Sequence, residues 1–508
     1  MRYSFRTVYF KFKYCLAGYV VPMRIIISLF LIFINVAVQG QVLDTTAFRT
    51  LKDALVKLQN SDLMRHGTVG FALSDTTTDS LLIGLNVDKS LPPASTVKLI
   101  TTATALEVLG ENFTFETYLE HDGSLLEGVL KGNLYIYGTG DPTLGSPRFK
   151  DKTDSATVFN DWLTALKNAG IQRIEGRIIA DNSFYEEQGI EESWMWGDVG
   201  TAYGVAIQGL NWNENATRLY FKPGRRVGEP ATLLRSVPEQ PEIRYDNRVT
   251  TGPPGSGNKT RIRPDLISRT LIIEGTLPMT RGEYGIRVAV IQPALLVATQ
   301  FTAFLKKNDI PVTQLPSTLL PKRAGGDRFR LHTFHSPPLS EICKQINWWS
   351  INLYADALLK AVGKKHGLKT NFRDVAPEIV SFWAAKGIET SGMLLKDGSG
   401  LATTALLTPQ NLVTILNKTT QLSTFSTFYN SLPVAGEAGT VRSRRFGNKS
   451  NVRAKSGSIE GTRAYAGYVK TGSGRLLSFV INAHRYTPDA QTEISRELMK
   501  IVSLIGQL

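Results

Sequence analysis

The two ends of the chain carry the same kinds of element, and this constrains the fold more than any other feature. Near the start, a helical spacing of apolar residues over 44–60 precedes two alternating segments, Val69–Leu73 and Leu81–Val87. Near the end, two alternating segments, Ala464–Val469 and Leu476–Ala483, precede a closing helical pattern. One antiparallel sheet built from both ends, with the two terminal helices packed together on one face, accounts for both patterns.

The middle of the chain has a different character, since it is rich in Gly and Asn over residues 117–285. Its short β-prone runs are Asn133–Tyr137, Ile174–Ala180, Arg218–Phe221, Thr270–Glu274 and Ile286–Val290. Helical patterns resume at Pro293–Lys307 and Leu339–Val362. The sequence therefore predicts an α+β fold in which residues 41–116 and 286–508 form one discontinuous domain, interrupted by a mostly-β insertion at 117–285.

The first 40 residues are typical of a secretory signal. They contain five basic residues, no Asp or Glu, and an apolar run from Ile25 to Val38 that ends near Gly40. The run is shorter than the roughly 20 residues that a membrane-spanning helix needs. We expect export to the periplasm with cleavage near Gly40, and translation could start at Met1 or at Met23.

Charge and cysteine content exclude several classes of protein. Loss of the five basic residues lowers the formal net charge from +14 to +9, which suits either anionic wall polymers or simple solvation. No nucleic-acid motif accompanies this charge. Cleavage would also remove Cys15 and leave Cys343 alone, so no internal disulfide is expected, and Cys343 is predicted to pack in the core.

The first chemical motif is Ser95 followed by Lys98 at the start of an apolar helical run, Ser95–Leu109. Pro92-Pro93 breaks the structure before this run, and Gly110 ends it. Residues three apart at a helix start share a face, which brings the amine close to the hydroxyl. A serine hydroxyl needs such a base to become a nucleophile at neutral pH, and a buried lysine can serve because burial lowers its pKa.

The second motif is Ser350 with Asn352, inside the helical pattern that begins at Leu339. The Ser350 hydroxyl can relay a proton between an amine and a leaving group. The Asn352 amide can donate to a substrate carbonyl and hold the lysine in place.

The third motif, Lys455-Ser456-Gly457-Ser458, precedes the C-terminal strand pair and is expected on a strand facing the site. Lys455 can supply positive charge to a substrate carboxylate, and Ser456 and Ser458 offer hydroxyls to the same group. Gly457 would let backbone and substrate approach closely. The backbone N–H groups of Ser95 and Ser458 are the expected oxyanion-hole pair.

Each motif alone also has a structural explanation. Ser95 and Ser350 could be helix N-caps, Lys98 a solvated side chain, and Lys455 part of an exposed edge strand. The three motifs in this order favour a serine enzyme, and they are the set found in penicillin-binding proteins and class A β-lactamases.

Longer signatures extend this resemblance over nearly all of residues 45–505. They are Gly138–Leu144, Asp181–Phe184, Tyr203–Asn211, His335–Glu341, Asp397–Leu401 and Gly439-Thr440. With them the chain resembles the D-alanyl-D-alanine carboxypeptidase/endopeptidase family, the class C low-molecular-mass penicillin-binding proteins of peptidase family S13.

The resemblance implies a transpeptidase-like domain split by a large insertion. It implies cleavage of the terminal D-Ala-D-Ala bond of peptidoglycan stem peptides and of peptide cross-links through an acyl-serine intermediate, with β-lactams as covalent inhibitors. It also implies that Asp141 and Ser146 reach from the insertion to the stem's diamino-acid side chain, although Asp141 could instead form a structural Asx turn. No cofactor or metal is expected. A serine β-lactamase and a non-catalytic wall-binding scaffold are the alternatives.

Three positions depart from the family pattern. Ile351 stands where the family usually has Asp, and Ser456 where it usually has Thr. Thr403 stands where the family often has an Arg that contacts the carboxylate of the substrate side chain. The resemblance therefore implies weaker selection for a free carboxylate on the third residue of the stem.

Overall fold

The computed structural model describes residues 45–185, 189–240, 242–265, 268–320, 327–442 and 451–508. The predicted signal segment, with Cys15 and Gly40, lies outside these ranges. Within them, no helix is long and apolar enough to cross a membrane. The helices of the described ranges are α1 (Thr45–Gln59), α2 (Val97–Leu109), α3 (Ser155–Asn168), α4 (Trp196–Val199), α5 (Pro293–Lys307), α6 (Leu339–Trp349), α7 (Asn352–Lys365), α8 (Phe372–Ala385), α9 (Pro409–Thr419), α10 (Phe425–Ser431) and α11 (Gln491–Ile505).

The strands are numbered in chain order in the same way. They are β1 (Thr68–Asp75), β2 (Leu81–Leu85), β3 (Glu116–His121), β4 (Ser124–Leu126), β5 (Val129–Lys131), β6 (Leu134–Gly138), β7 (Arg173–Ile174), β8 (Ile178–Asp181), β9 (Ala216–Lys222), β10 (Thr232–Val237), β11 (Arg244–Gly252), β12 (Lys259–Asp265), β13 (Thr270–Pro278), β14 (Tyr284–Ala289), β15 (Phe329–His335), β16 (Val452–Ile459), β17 (Thr462–Lys470) and β18 (Leu476–His484).

Both ends of the chain build the central sheet, as predicted from the sequence. Its order is β16-β17-β18-β1-β2, and every neighbouring pair is antiparallel. Strand β1 from the start of the chain pairs with β18 from its end, with Phe71 opposite Ile481. The terminal helices α1 and α11 pack on one face of this sheet in a shared apolar core that includes Leu55 and Leu498.

The other face of the sheet carries the second core, with α2 at its centre. Helix α2 packs against α6, α7, α8 and α9, and ten of its thirteen residues are buried. A helix that is enclosed on all sides must be apolar on all sides. This explains why the sequence of α2 has no polar face. Cys343 is buried in this core, as expected.

The inserted region has its own cores. The sheet β15-β3-β6-β8 packs against α3 and α5 around large aromatic residues, among them Trp162, Trp212 and Phe301. Two three-stranded sheets, β10-β9-β14 and β11-β13-β12, follow. The predicted run Ile174–Ala180 is two strands, β7 and β8, and between them Gly176 passes so close to the backbone of Gly132 that a Cβ atom would not fit.

Helix α5 and strand β15 both pack with the inserted sheet. Helix α5 shares the core of the inserted sheet, and β15 pairs with β3, with Phe329 opposite His121. Both elements follow residue 286, where the sequence analysis places the return to the main domain. From this packing we propose that the inserted region extends to about residue 335.

Candidate active site

The Ser95 hydroxyl lies beside a buried amine at the entrance to helix α2. A short 3-10 turn, Ala94–Thr96, follows the Pro92-Pro93 pair and leads directly into the helix. Ser95 is half-buried and Lys98 is fully buried. The Nζ atom of Lys98 donates to Ser95 Oγ at 2.9 Å. The first motif therefore forms the contact that its spacing predicted.

Lys98 also joins two other segments of the chain. Its Nζ donates to Asn352 Oδ1 at 2.7 Å and to the carbonyl oxygen of Ser399. Burial lowers the pKa of Lys98 to about 8, although the carboxyl groups of Asp356 and Asp397 act in the opposite direction. An amine with such a pKa is partly neutral near physiological pH and can accept a proton from a hydroxyl.

Ser350 interrupts the helical pattern that the sequence showed as continuous over Leu339–Val362. It closes α6 in the left-handed region, with φ of 59°, and α7 begins two residues later at Asn352. The structural alternative of an N-cap is therefore wrong for Ser350. Non-glycine residues seldom adopt this conformation, and they are enriched at functional sites. Here it turns the chain so that Ser350 Oγ accepts a hydrogen bond from Lys455 Nζ at 2.9 Å.

Lys455 lies fully buried on strand β16. Its Nζ also donates to the carbonyl oxygen of Ser456 at 2.6 Å. Burial holds the pKa of Lys455 well below its usual range, and the nearby positive charge of Lys98 lowers it further. The three motifs thus form two amine–hydroxyl pairs, Lys98 with Ser95 and Lys455 with Ser350. The positive charges of the two amines repel each other.

Gly457 brings strand β16 against the turn that carries Ser95. A Cβ atom at this position would lie 3.0 Å from the carbonyl oxygen of Pro93 and 3.3 Å from the backbone nitrogen of Ser95. The close approach of the two segments therefore depends on the absence of a side chain at this position. Ser458 lines the cavity in front of Ser95, whereas Ser456 Oγ donates to Thr440 Oγ1 at 2.7 Å.

The loop Asp397–Leu401 forms a further wall that the sequence analysis did not assign to the site. Asp397 accepts hydrogen bonds from the backbone N–H groups of Gly400, Leu401 and Ala402 and from the indole of Trp194 in the insertion. Gly400 has φ of +73°, and a Cβ atom there would lie 1.9 Å from the carbonyl oxygen of Ala94. The sequence did contain a signal for this loop: Asp397 is followed closely by Gly398 and Gly400, a pattern typical of a tight, hydrogen-bonded turn.

The motif residues and the Asp397–Leu401 loop lie beside a cavity of about 960 Å³. The main domain contributes Ser95, Ser350, Asn352, Thr403, Ser458 and Glu460 to its walls, and the insertion contributes Asp198, Tyr203, Arg261, Arg263 and Glu274. Asn352 Nδ2 donates to the carbonyl oxygen of Tyr203 at 2.8 Å, which ties the insertion to the second motif. Burial and the negative charge of Glu460 raise the pKa of Asp198.

Asp141 and Ser146 do not face this cavity, contrary to the sequence-based expectation. Both are buried, and neither is among the residues of the cavity wall. Asp141 Oδ1 accepts from the backbone N–H and the hydroxyl of Thr143, each at 2.7 Å, which is the Asx turn considered as the alternative. Ser146 Oγ instead donates to Glu214 Oε1 at 2.8 Å.

Asp198 and Tyr203 are two of the insertion residues that do line the cavity. The Tyr203 hydroxyl donates to Asp198 Oδ1 at 3.0 Å. Tyr203 is the first residue of the Tyr203–Asn211 signature, so the sequence carried a signal at this point. The signal did not indicate which side chain of the signature faces the site, because this depends on packing between distant elements.

Comparisons with known proteins agree with this architecture. A model of the D-Ala-D-Ala carboxypeptidase 3 (S13) family matches residues 51–503. The D-alanyl-D-alanine carboxypeptidase of Actinomadura sp. (strain R39) is 28% identical over 432 residues, which cover 81% of this chain and 77% of that protein. The D-alanyl-D-alanine carboxypeptidase DacB of Haemophilus influenzae is 26% identical over 439 residues, which cover 84% and 88%.

The fold itself matches a solved structure over nearly its whole length. The crystal structure of penicillin binding protein 4 (dacB) from Haemophilus influenzae aligns with a TM-score of 0.76 at 22% identity, covering 92% of this chain and all of that chain. This similarity confirms the predicted class, a transpeptidase-like α+β domain with a large inserted region.

The burial of Asp141 predicts a measurable effect on stability. Burial raises the pKa of Asp141 from 3.8 to about 6, and its Oδ2 atom has no hydrogen-bond partner among the described residues. The folded state is therefore penalised above this pKa, where the group is charged, and not below pH 3.8, where it is protonated in both states. We expect Asp141→Asn to raise the free energy of unfolding by on the order of 2 kcal/mol at pH 7.5.

Urea unfolding at pH 7.5 and pH 4 measures this difference, most of which should be lost at the lower pH. Cleavage of stem peptides should be retained, because Asp141 does not contact the cavity. A variant that is destabilised at pH 7.5, or that loses stem cleavage but keeps penicillin acylation, would contradict the structural role.

Proposed function

We propose how this chain, which belongs to the D-Ala-D-Ala carboxypeptidase 3 (S13) family, cleaves its substrate. It is a serine-type D-Ala-D-Ala carboxypeptidase, and we assign the role of nucleophile to Ser95. The observation that carries this assignment is the 2.9 Å contact between Ser95 Oγ and the amine of Lys98, whose pKa is about 8. A positioned base within hydrogen-bond reach is what activates a serine hydroxyl.

In the first step, Ser95 Oγ attacks the carbonyl carbon of the penultimate D-Ala, and its proton passes to the neutral amine of Lys98. The oxyanion that forms accepts hydrogen bonds from the backbone N–H groups of Ser95 and Ser458. The peptide C–N bond then breaks, and the proton that Lys98 took from Ser95 passes through the Ser350 hydroxyl to the departing amine, which leaves Lys98 neutral again. Water hydrolyses the acyl-serine in the second step and regenerates Ser95.

Lys455 is assigned to the terminal carboxylate of the stem peptide. Its pKa is lowered by burial, and an arriving carboxylate counteracts this by favouring the charged ammonium form. Binding of the carboxylate therefore raises the pKa of Lys455 back towards its ordinary range. Ser458, which lines the cavity, is proposed to donate a hydroxyl hydrogen bond to the same carboxylate. The Ser456 hydroxyl, expected from the sequence to do the same, is already donated to Thr440 Oγ1.

We further propose that the enzyme also cleaves peptide cross-links. The cavity extends from Ser95 to the wall formed by Asp198, Arg261 and Arg263 of the insertion. This space is large enough for a stem side chain or a second peptide beyond the D-Ala-D-Ala bond. Such substrates lie outside the cytoplasm, which agrees with the proposed export signal at residues 1–40.

β-Lactams are proposed as covalent inhibitors of the same serine. The H. influenzae protein with the similar fold has been crystallised in complex with a novel β-lactam. A β-lactam carries a strained amide and a carboxylate in the positions that Ser95 and Lys455 would engage. Slow hydrolysis of the resulting ester would leave the enzyme labelled.

We predict that Ser95→Ala abolishes covalent labelling by a fluorescent penicillin, because among the described residues Ser95 supplies the hydroxyl that the Lys98 amine bonds. Labelled protein is read on a denaturing gel, and the modified peptide is located by mass spectrometry. Ser90→Ala is the matched control, since the exposed Ser90 hydroxyl bonds only the carbonyl oxygen of Gly392. An adduct that maps to another residue would exclude Ser95. Rapid turnover of penicillin would indicate a β-lactamase, and no labelling of the wild type would indicate a scaffold.

The second prediction concerns Lys98 as the base. Lys98→Ala should slow penicillin acylation by ~10²–10⁴-fold, the usual contribution of a general base. In the wild type, the rate of acylation should rise between pH 6 and 9 as the amine with a pKa of about 8 loses its proton. Stopped-flow labelling across this pH range tests both. Near-normal acylation by a folded Lys98→Ala variant would remove Lys98 from this role.

The third prediction is that Asp198 selects the substrate. Its carboxylate and that of Glu460 give the cavity a negative region suited to an amine on the stem's third residue. Asp198→Asn should therefore raise KM for amine-bearing stem peptides at least tenfold while penicillin acylation changes little. Asp53→Asn on α1 is the control for loss of one surface carboxylate. Equal losses towards stem peptides and penicillin would mean that Asp198 acts on the catalytic groups instead.

A further inference from the structure

A second cavity, of about 350 Å³, lies in the inserted region and shares no wall residue with the catalytic cavity. Its walls come from the segment Pro147-Arg148, the turn before β9, strands β9 and β14, and Val237 at the end of β10. Three arginines and one glutamate line it: Arg148, Arg218, Arg287 and Glu214. Neither the proposed mechanism nor the family signatures give this arginine pocket a role.

Glu214 is the only carboxylate in the wall of the arginine pocket among the described residues, and its oxygens are already occupied. Its side chain is 4% exposed. Oε1 accepts from Arg148 Nε at 2.6 Å and from Ser146 Oγ at 2.8 Å, while Oε2 accepts from Arg287 at 2.8 Å. The Tyr354 hydroxyl, from helix α7 of the main domain, also donates to Oε1 at 3.1 Å. Glu214 is thus fixed at the base of the pocket and neutralises one guanidinium charge.

Arg218 adds a positive charge that this network does not balance. It lies directly opposite Arg287 in the antiparallel pair β9–β14. Like charges at directly opposite positions destabilise a sheet. In the described part of the chain, no carboxylate lies within ion-pair distance of Arg218. The three arginines and one glutamate give the pocket two surplus positive charges. An arriving anion cannot replace Glu214 as the partner of Arg148 and Arg287, because the Glu214 carboxylate would then be buried without a partner.

Guanidinium groups suit oxyanions because their planar N–H donors match two oxygens at once. A phosphate group carries about −1.5 to −2 charges at pH 7, which balances the surplus in this pocket. A cavity of this volume lies at the small end of the range for ligand sites. We propose that the arginine pocket binds a phosphate dianion, either inorganic phosphate or the terminal phosphate of a sugar or glycerol ester.

Isothermal titration of the whole protein at low ionic strength with inorganic phosphate tests this proposal. The wild type should bind one phosphate per chain, and Arg218→Ala should weaken binding at least tenfold. Lys222→Ala is the matched control, because it removes one positive charge from the same strand outside the pocket, and its Kd should stay within twofold of the wild type. Thermal unfolding checks that each variant is folded.

Titration with glycerol 3-phosphate and N-acetylglucosamine 1-phosphate distinguishes the sources of the phosphate. Tighter binding of an ester than of inorganic phosphate identifies a phosphorylated metabolite or polymer end as the ligand, and equal or weaker binding identifies inorganic phosphate. No saturable binding of any of the three by the wild type overturns the proposal. Equal losses in the Arg218→Ala and Lys222→Ala variants overturn it as well, because they would show general attraction to a basic surface.

Discussion

The buried amine of Lys98 is the interaction on which the site depends. It donates to Ser95 in the turn just before α2. It also donates to Asn352 at the start of α7 and to the loop at Ser399, which lie 254 and 301 residues further along the chain. Burying a lysine among apolar neighbours is unfavourable unless hydrogen bonds satisfy it. Three acceptors from three segments satisfy this amine, so the same contacts that stabilise the fold also position the Ser95 hydroxyl.

The inserted region contributes to the site directly, because it lines the cavity and bonds to residues of the main domain. The indole of Trp194 donates to Asp397, which organises the loop that closes against Ala94. Asn352 donates to the backbone of Tyr203 from the same region. Changes in the insertion can therefore reach Lys98 and Asn352 through hydrogen bonds, and Asp198 of the insertion lies in the wall of the same cavity.

The sequence predicted the features that follow from local pattern and motif spacing. The sheet built from both ends, the helix that starts at Ser95 and the pairing of Ser95 with Lys98 depend on alternation and on helical geometry. The sequence failed where packing between distant elements decides. Asp141 lies in the signature Gly138–Leu144 and Ser146 follows two residues later, yet the fold turns both side chains inward. The break at Ser350 interrupts an apolar periodicity that is continuous in sequence, and only its left-handed backbone brings its hydroxyl to Lys455.

The pKa of the Lys98 amine is the quantity that tests this account most directly. Its ¹³Cε resonance can be assigned in lysine-labelled protein by comparison with Lys98→Arg and followed by NMR from pH 6 to 11. The account predicts a titration near pH 8, which reports a buried amine that is partly neutral at physiological pH. A titration near the ordinary value of 10.5 would contradict it, because Lys98 would then be charged at physiological pH and could not take the proton of Ser95.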